Sequence, residues 1–194
     1  MGRTAERSRL SAAEYLVWER DQPAKHEFFH GEVFAMAGGS PRHHALAVRV
    51  AEALGAATRS RGCEVFSSDQ RIALGERYVY PDLSVVCGRI ALQAGSTDNI
   101  VNPTILVEVL SSATEQYDRG LKWEGYQRLE SLTDYMLVSQ TEVRIEHFRR
   151  EAGRLWHYRA YGPGERVGLT GGAELGLDDI CAGVLDLPGE GDRA

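Results

Sequence analysis

Ile-Leu-Val-Glu-Val-Leu, residues 105–110, is apolar on both faces of a strand except at Glu108. Strands with this pattern are usually buried in the middle of a sheet. An ionised carboxylate in such a place is costly unless it is paired or bound to a cation. Glu108 therefore needs a partner, which is either a metal ion or a buried Arg or Lys.

Periodicity and turn residues predict the elements around this strand. Ser11 and Glu14 have the spacing of a capping box, which indicates a helix to about Glu19. A long helix is predicted from Ser40-Pro41 to about Ser60, because apolar residues recur there at helical spacing. A third helix is predicted over 114–129. Strands are predicted at 25–29, 32–37, 64–67, 70–74, 83–87, 105–110, 135–138, 143–149 and 155–160.

This order of elements predicts the fold class. We expect an α/β (α+β) fold with one mixed central β-sheet flanked by helices, preceded by an N-terminal helix and a β-hairpin that turns at His30-Gly31. The 194 residues suffice for one domain. We expect a single domain over residues 10–187, with flexible termini at 1–9 and 188–194.

Composition limits the classes of function. The formal net charge of −6 argues against a constitutive nucleic-acid binder, but it leaves room for an enzyme that meets DNA through a local patch and metal ions. Cys63, Cys87 and Cys181 lie far apart, which favours reduced, buried thiols in a cytoplasm over a zinc site. No segment approaches the roughly 18 apolar residues of a membrane span. We expect a cytoplasmic protein without membrane contact.

A second acid, Asp82, follows Pro81 at the start of the apolar run 83–87. If this run pairs with the Glu108 strand, the two carboxylates come close together and their repulsion raises one pKa. A divalent cation between them removes the conflict, and oxygen ligands favour Mg²⁺ or Mn²⁺. A metal-bound water can then act as a nucleophile. The alternative is that Asp82 only caps a turn.

Lys122 lies on the helix predicted after the Glu108 strand. Asp118, Lys122 and Tyr126 follow i, i+4 spacing and share one helix face. If the helix folds back over the end of the strand, the ammonium can orient a water or stabilise charge on a phosphate. The alternative is a plain surface ion pair between Asp118 and Lys122.

The order of Pro81-Asp82, Glu108 and Lys122 resembles the PD-(D/E)xK nuclease superfamily, and within it the Uma-type family of restriction endonucleases. The resemblance spans roughly residues 11–149. It is carried by seven short motifs in the same order as in the family: Ser-Ala-Ala-Glu-Tyr-Leu (11–16), His-Glu-Phe-Phe-His-Gly-Glu-Val (26–33), Ser-Pro-Arg-His-His (40–44), Tyr-Pro-Asp-Leu-Ser-Val-Val (80–86), Leu-Val-Glu-Val-Leu-Ser (106–111), Asp-Arg-Gly-Leu-Lys (118–122) and Asp-Tyr-Met-Leu-Val (134–138).

The resemblance implies a role for each candidate residue. Asp82 and Glu108 would bind the metal, and Glu27 would add a ligand or hold a metal-bound water. Lys122 would be the catalytic lysine, because Leu110 stands where the superfamily motif usually has it. The resemblance also implies a catalytic histidine at the start of the long helix. His43 matches it, with His44 one residue away as the alternative.

The expected function is that of a Mg²⁺- or Mn²⁺-dependent endonuclease that hydrolyses phosphodiester bonds, with DNA as the substrate. One alternative is a catalytically inactive nuclease-like module for binding or regulation. Another is a phosphodiesterase that uses the same site on RNA or a small molecule. A homodimer is also expected, because two-fold dimers are the commonest oligomers and many nucleases that cleave both DNA strands pair two subunits.

Overall fold

The computed structural model describes the strand Ala5–Glu6 together with residues 10–36 and 38–192. The strands of this part of the chain form a six-stranded sheet, a five-stranded sheet and a separate hairpin. The predicted mixed central sheet is confirmed, whereas the five-stranded sheet that contains the N-terminal hairpin was not predicted. The strands are β1 Ala5–Glu6, β2 His26–Phe29, β3 Glu32–Ala35, β4 Cys63–Ser67, β5 Ile72–Ala73, β6 Tyr78–Val79, β7 Leu83–Cys87, β8 Ile105–Val109, β9 Asp134–Val138, β10 Ile145–Arg150, β11 Trp156–Tyr161, β12 Arg166–Gly168 and β13 Glu174–Gly176.

The six-stranded sheet is the predicted mixed sheet. Its order is β11-β10-β9-β8-β7-β4, with β8 and β9 parallel and the other pairs antiparallel. All five residues of β8 are buried, as the apolar pattern on both faces of that strand predicts. The strand that carries Glu108 thus lies inside the sheet, between β7 and β9.

The N-terminal hairpin belongs to the second sheet, whose order is β1-β3-β2-β6-β5. Helix α1, Ala12–Glu19, begins with the predicted capping box and packs Tyr15 against Phe28 of β2 and Tyr78 of β6. Because side chains alternate along a strand, Glu27 points away from this aromatic cluster. Strand β2 therefore directs the Glu27 carboxylate towards the central sheet.

Helices cover both faces of the central sheet. Helix α2, Pro41–Thr58, packs Leu46, Val50 and Leu54 on one face, together with α5, Leu177–Cys181, and the hairpin of β12 and β13. The long helix predicted from Ser40-Pro41 is confirmed. The opposite face, which includes Leu106 of β8 and Tyr135 of β9, packs against Tyr126.

The helix predicted over 114–129 is interrupted and shorter. It consists of α3, Glu115–Tyr117, a π-helical turn, Asp118–Lys122, and α4, Trp123–Tyr126. A π-helical turn is wider than an α-helical one and occurs frequently at functional sites. Here the turn contains both Asp118 and Lys122, and both are buried.

The expectation of reduced cysteines needs correction. Cys63 and Cys87 form a disulfide, since the register of β4 and β7 places them opposite each other, and only Cys181 is a free, buried thiol among the described residues. In the C-terminal tail, the Pro188 carbonyl accepts a hydrogen bond from Arg42 N–H, and Asp192 forms an ion pair with the Arg42 side chain.

The N-terminal segment predicted to be flexible contains β1, which pairs with β3. The rest of that segment, residues 1–4 and 7–9, and the last two residues, 193–194, lie outside the described residues. No helix in the described ranges is long and apolar enough to cross a bilayer.

Candidate active site

Asp82 and Glu108 are brought together by the pairing of β7 and β8. The strands are antiparallel with Leu83 opposite Val107, so the next step of the register sets Asp82 against Glu108. Oδ2 of Asp82 accepts a hydrogen bond from Val109 N–H at 2.7 Å, and Asp82 N–H donates to Oε2 of Glu108 at 3.4 Å. The predicted neighbourhood of the two acids is confirmed. Asp82 bridges two strands, so the turn-cap interpretation was wrong.

Lys122 lies at the centre of three carboxylates. Its Nζ is 2.9 Å from Oε1 of Glu108, 3.2 Å from Oδ1 of Asp118 and 3.3 Å from Oε1 of Glu27. Its side chain is only 5% exposed, so the surface ion pair with Asp118 was the wrong interpretation. Lys122 is the buried cation that the sequence analysis offered as an alternative partner for Glu108.

Tyr126 also binds Glu108, a role that sequence reasoning missed. Its hydroxyl donates to Oε1 of Glu108 at 2.7 Å, and both side chains are buried. Oε1 therefore receives two donors, from Tyr126 and Lys122, whereas Oε2 is turned towards Asp82. The only signal in the sequence was the i, i+4 spacing that puts Tyr126 on the face of Lys122.

Glu27 is held at the inner side of the site by the second sheet. Its side chain is 0% exposed, and its Oε1 accepts a hydrogen bond from Tyr80 N–H at 3.0 Å besides its ion pair with Lys122. Tyr80 immediately precedes Pro81-Asp82, so this bond ties β2 to the segment that carries Asp82. Glu27 thus lies within the cluster, as the resemblance implied.

His43, rather than His44, lines the site cavity. The Ser40 hydroxyl accepts from His43 N–H at 3.1 Å and begins α2, which directs the ring so that Nε2 lies 3.4 Å from Oδ2 of Asp82. Gly39 is required by this geometry, because a Cβ at that position would lie 2.7 Å from Nδ1 of His43. Nδ1 is buried and has no hydrogen-bond partner among the described residues.

Burial and charge shift the pKa values of the inner groups. Burial raises the pKa of the Glu108 carboxyl well above its ordinary value, because Asp118, Asp82 and Glu27 add to the effect and Lys122 offsets only part of it. Burial also raises the pKa of Asp118, again against the opposing charge of Lys122. For Lys122, burial lowers the pKa, but Glu108, Glu27 and Asp118 outweigh it and raise the pKa well above normal. The lysine is therefore charged.

The outer pair behaves differently. Burial raises the pKa of Asp82, but the hydrogen bond and charge of His43 outweigh it, so that the pKa falls below its ordinary value. Burial lowers the pKa of His43, but the bond to Asp82 and its charge raise it overall. The outer pair thus consists of an ionised carboxylate and a histidine that holds its proton more tightly than a free imidazole.

The site cavity has a volume of about 80 Å³. Its acidic side chains outnumber its cationic ones, since Lys122 and His43 face five carboxylates, which belong to Glu27, Asp82, Glu108, Asp118 and Glu190. Glu190 comes from the C-terminal tail, and its Oε2 accepts from Ser112 N–H at 2.8 Å. Sequence reasoning missed Glu190, because nothing local in a Gly-rich tail marks it.

The donor set suits a hard divalent cation. Carboxylate oxygens are the ligands that Mg²⁺ prefers, and Mg²⁺ usually keeps several waters and takes only one or two carboxylates. Within the described ranges, no three His, Cys, Asp or Glu side chains converge on a common metal position. Asp82 and Glu108 provide the two carboxylates that such an ion commonly takes, so its other positions would be filled by water.

The comparison with a solved structure defines the class of fold. A crystal structure described as that of a putative nuclease belonging to DUF820, from Anabaena variabilis, superimposes with a TM-score of 0.74 at 16% sequence identity. The match covers 91% of this chain and 99% of the other. The mixed central sheet flanked by helices is thus a fold that this chain shares with a nuclease-like protein.

The sequence comparisons identify the family. Residues 12–180 match the Uma2 family, which is described as "Putative restriction endonuclease", and the chain belongs to that family. An uncharacterised Synechocystis protein, slr1290, is 37% identical over 179 residues, which are 91% of this chain and 93% of that protein. A second one, sll1609, is 34% identical over 149 residues, which are 76% and 84% of the two chains. The predicted resemblance is confirmed.

Proposed function

We propose that this protein is a divalent-metal-dependent endonuclease that hydrolyses phosphodiester bonds in DNA. One observation carries the proposal: Asp82 and Glu108 adjoin across β7 and β8, in a buried cluster whose carboxylates outnumber its cations. Such a surplus of buried negative charge is costly unless a proton neutralises it or a cation compensates it, and a divalent ion would compensate it here. Membership of a family described as restriction endonucleases supports the same conclusion.

Asp82 and Oε2 of Glu108 would hold Mg²⁺ or Mn²⁺. When bound, the ion supplies an activated water and offsets the charge that develops on the phosphate. Lys122 and Tyr126 hold Oε1 of Glu108, which keeps the other oxygen aimed at Asp82. Glu27 would act on the metal through an intervening water, since its Oε1 is already bonded to Tyr80 N–H and Lys122.

His43 is the group in the cavity suited to moving a proton. Its pKa is raised by Asp82, so a fraction of the imidazole is protonated near neutral pH. We assign His43 the transfer of a proton to the leaving oxygen, while its contact with Asp82 keeps the ring in place. Lys122 contributes positive charge beneath the site and offsets part of the rise that burial causes in the pKa of Glu108.

The second candidate is an inactive nuclease-like module. Lys122 favours it, because this lysine already gives Glu108 a buried partner. The two candidates differ in what a divalent ion does to the protein. An endonuclease gains thermal stability and activity from the ion, whereas an inactive module gains neither.

Nicking of supercoiled plasmid distinguishes these candidates. The wild type, Asp82→Asn and Glu108→Gln would be assayed with Mg²⁺, with Mn²⁺ and with EDTA, alongside single-stranded DNA, RNA and a small phosphodiester. The matched control is Asp134→Asn, which removes a buried carboxylate outside the site cavity. We expect metal-dependent nicking by the wild type and the control only. Equal inactivity of all four proteins on every substrate would favour the inactive module. Homodimerisation stays a prediction.

A further inference from the structure

The acidic cluster divides into two halves that differ in how far their negative charges are compensated by cations. The inner half consists of Lys122 with Glu27, Asp118 and Oε1 of Glu108. The outer half consists of Asp82 and Oε2 of Glu108, and it faces His43. Glu108 is the residue shared by the two halves, with one oxygen in each.

The inner half already contains its cation. An ammonium group has three N–H donors, and Nζ of Lys122 has three carboxylate partners within 3.3 Å. Nζ donates a hydrogen bond to Oε1 of Glu108, and the ammonium thus lies between three acids of the inner half. A metal ion can enter this half only if the ammonium leaves it.

The outer half has an oxygen pair with no such cation within it. Oδ2 of Asp82 accepts from Val109 N–H, and Oε2 of Glu108 is met by Asp82 N–H at 3.4 Å. Both donors are neutral main-chain amides, so neither of them balances the charge of the two carboxylates. His43 is the nearest cationic side chain to Asp82 that the described residues provide.

We infer that the site binds one divalent cation per chain, in the outer half, and that Lys122 stands where the second ion of a two-metal site would be. Two-metal nucleases hold ions about 3.5–4 Å apart between shared carboxylates. Glu108 has the position of such a shared carboxylate, but its inner oxygen is bound to Lys122 and Tyr126. The inference rests on the proposed metal dependence and adds the number of ions and their place.

Tyr126 is the positioning residue in this arrangement. Its hydroxyl and Lys122 together fix Oε1 of Glu108, which leaves Oε2 aimed at Asp82. A second fully buried tyrosine provides a matched control, because Tyr135 donates its hydroxyl to the Asp118 carbonyl at 3.1 Å and does not touch a side-chain carboxylate of the cluster. Loss of either hydroxyl removes one buried hydrogen bond, but only Tyr126 orients Glu108.

Counting of bound Mn²⁺ tests the inference without an activity assay. The full chain would be titrated with MnCl₂, with free Mn²⁺ followed by electron paramagnetic resonance. We expect one ion per chain for the wild type. We expect Tyr126→Phe to bind it about 10- to 100-fold more weakly, the usual effect of losing a partner of a metal ligand, and Tyr135→Phe to bind like the wild type.

The outcomes separate this inference from the proposed function. Two ions per chain in the wild type would overturn the single-ion inference and leave the metal-dependent nuclease standing. No bound Mn²⁺ would overturn both. Equal weakening by Tyr126→Phe and Tyr135→Phe would overturn the positioning role of Tyr126. One bound ion without any cleavage would support the inference and contradict the nuclease.

Discussion

Asp134 and the acids around Lys122 are buried carboxylates that differ in how their negative charges are compensated. Asp134, on β9, is 0% exposed, and both of its oxygens have donors: His147 Nε2 lies 2.8 Å from Oδ1 and the Thr133 hydroxyl 2.7 Å from Oδ2. The acids around Lys122 share one ammonium, and burial leaves the pKa of Glu108 well above its ordinary value.

This difference distinguishes structural acids from functional ones. For Asp134, burial raises the pKa, but the bonds to His147 and Thr133 outweigh it and lower the pKa overall, so the ionised form stabilises the fold. For Glu108 and Asp118 the pKa is raised, so the ionised form costs stability. Groups with strongly perturbed pKa values in a cavity are candidates for a functional site.

Removal of the lysine should have the largest effect on stability. Lys122→Met leaves three buried acids without their cation, so we expect a loss of about 3–5 kcal/mol in the free energy of unfolding without metal. Urea unfolding measures the change, and added Mn²⁺ should recover part of the loss. A loss under about 1 kcal/mol, the size expected for a surface ion pair, would contradict the buried role of Lys122.

Removal of the balanced acid should affect stability alone. Asp134→Asn weakens the bonds from His147, Thr133 and Thr170 N–H, so we expect a loss of about 1–3 kcal/mol in the free energy of unfolding. The Mn²⁺ affinity, measured by titration, should be unchanged. A matching loss of Mn²⁺ affinity would show that the two acidic groups are not independent.

Removal of one surplus acid should have the smallest effect and the opposite sign. Asp118 has a raised pKa in the folded protein, so its contribution to stability is lost as pH rises from its ordinary value of 3.8 through the raised value. We expect Asp118→Asn to stabilise the metal-free protein at pH 7 by about 0.5 kcal/mol or more. Unfolding measured from pH 4 to pH 8 should show a flatter decline for the variant than for the wild type. A steeper decline of stability with pH in the variant would contradict a surplus of negative charge in the cluster.

The pair of site acids was predictable because its signal is local. A carboxylate in an apolar strand, Glu108, and an acid beside a proline at the start of another strand, Asp82, can be recognised in the sequence without knowing the fold. Two other neighbours of these acids were not predicted, because they come from distant elements. Tyr126 belongs to α4, which is separated from β8 by α3 and the π-helical turn, and Glu190 belongs to the C-terminal tail.

The fold was predictable where elements are long. Helix α2 and strands β7 and β8 match their predicted positions closely, because their apolar periodicity extends over several residues. The second sheet was missed because β6, which pairs with both β2 and β5, has two residues, too few to show a period. The bond between Cys63 and Cys87 depends on strand register, which a separation of 24 residues does not reveal.

A crystal structure of the wild-type protein soaked in MnCl₂ tests the central claim most directly. Anomalous scattering locates manganese independently of the protein chain. We predict a single peak between Asp82 and Oε2 of Glu108, with Lys122 still bound to Oε1. The absence of a peak at this position, or a peak between Glu27 and Asp118 with Lys122 displaced, would contradict the claim.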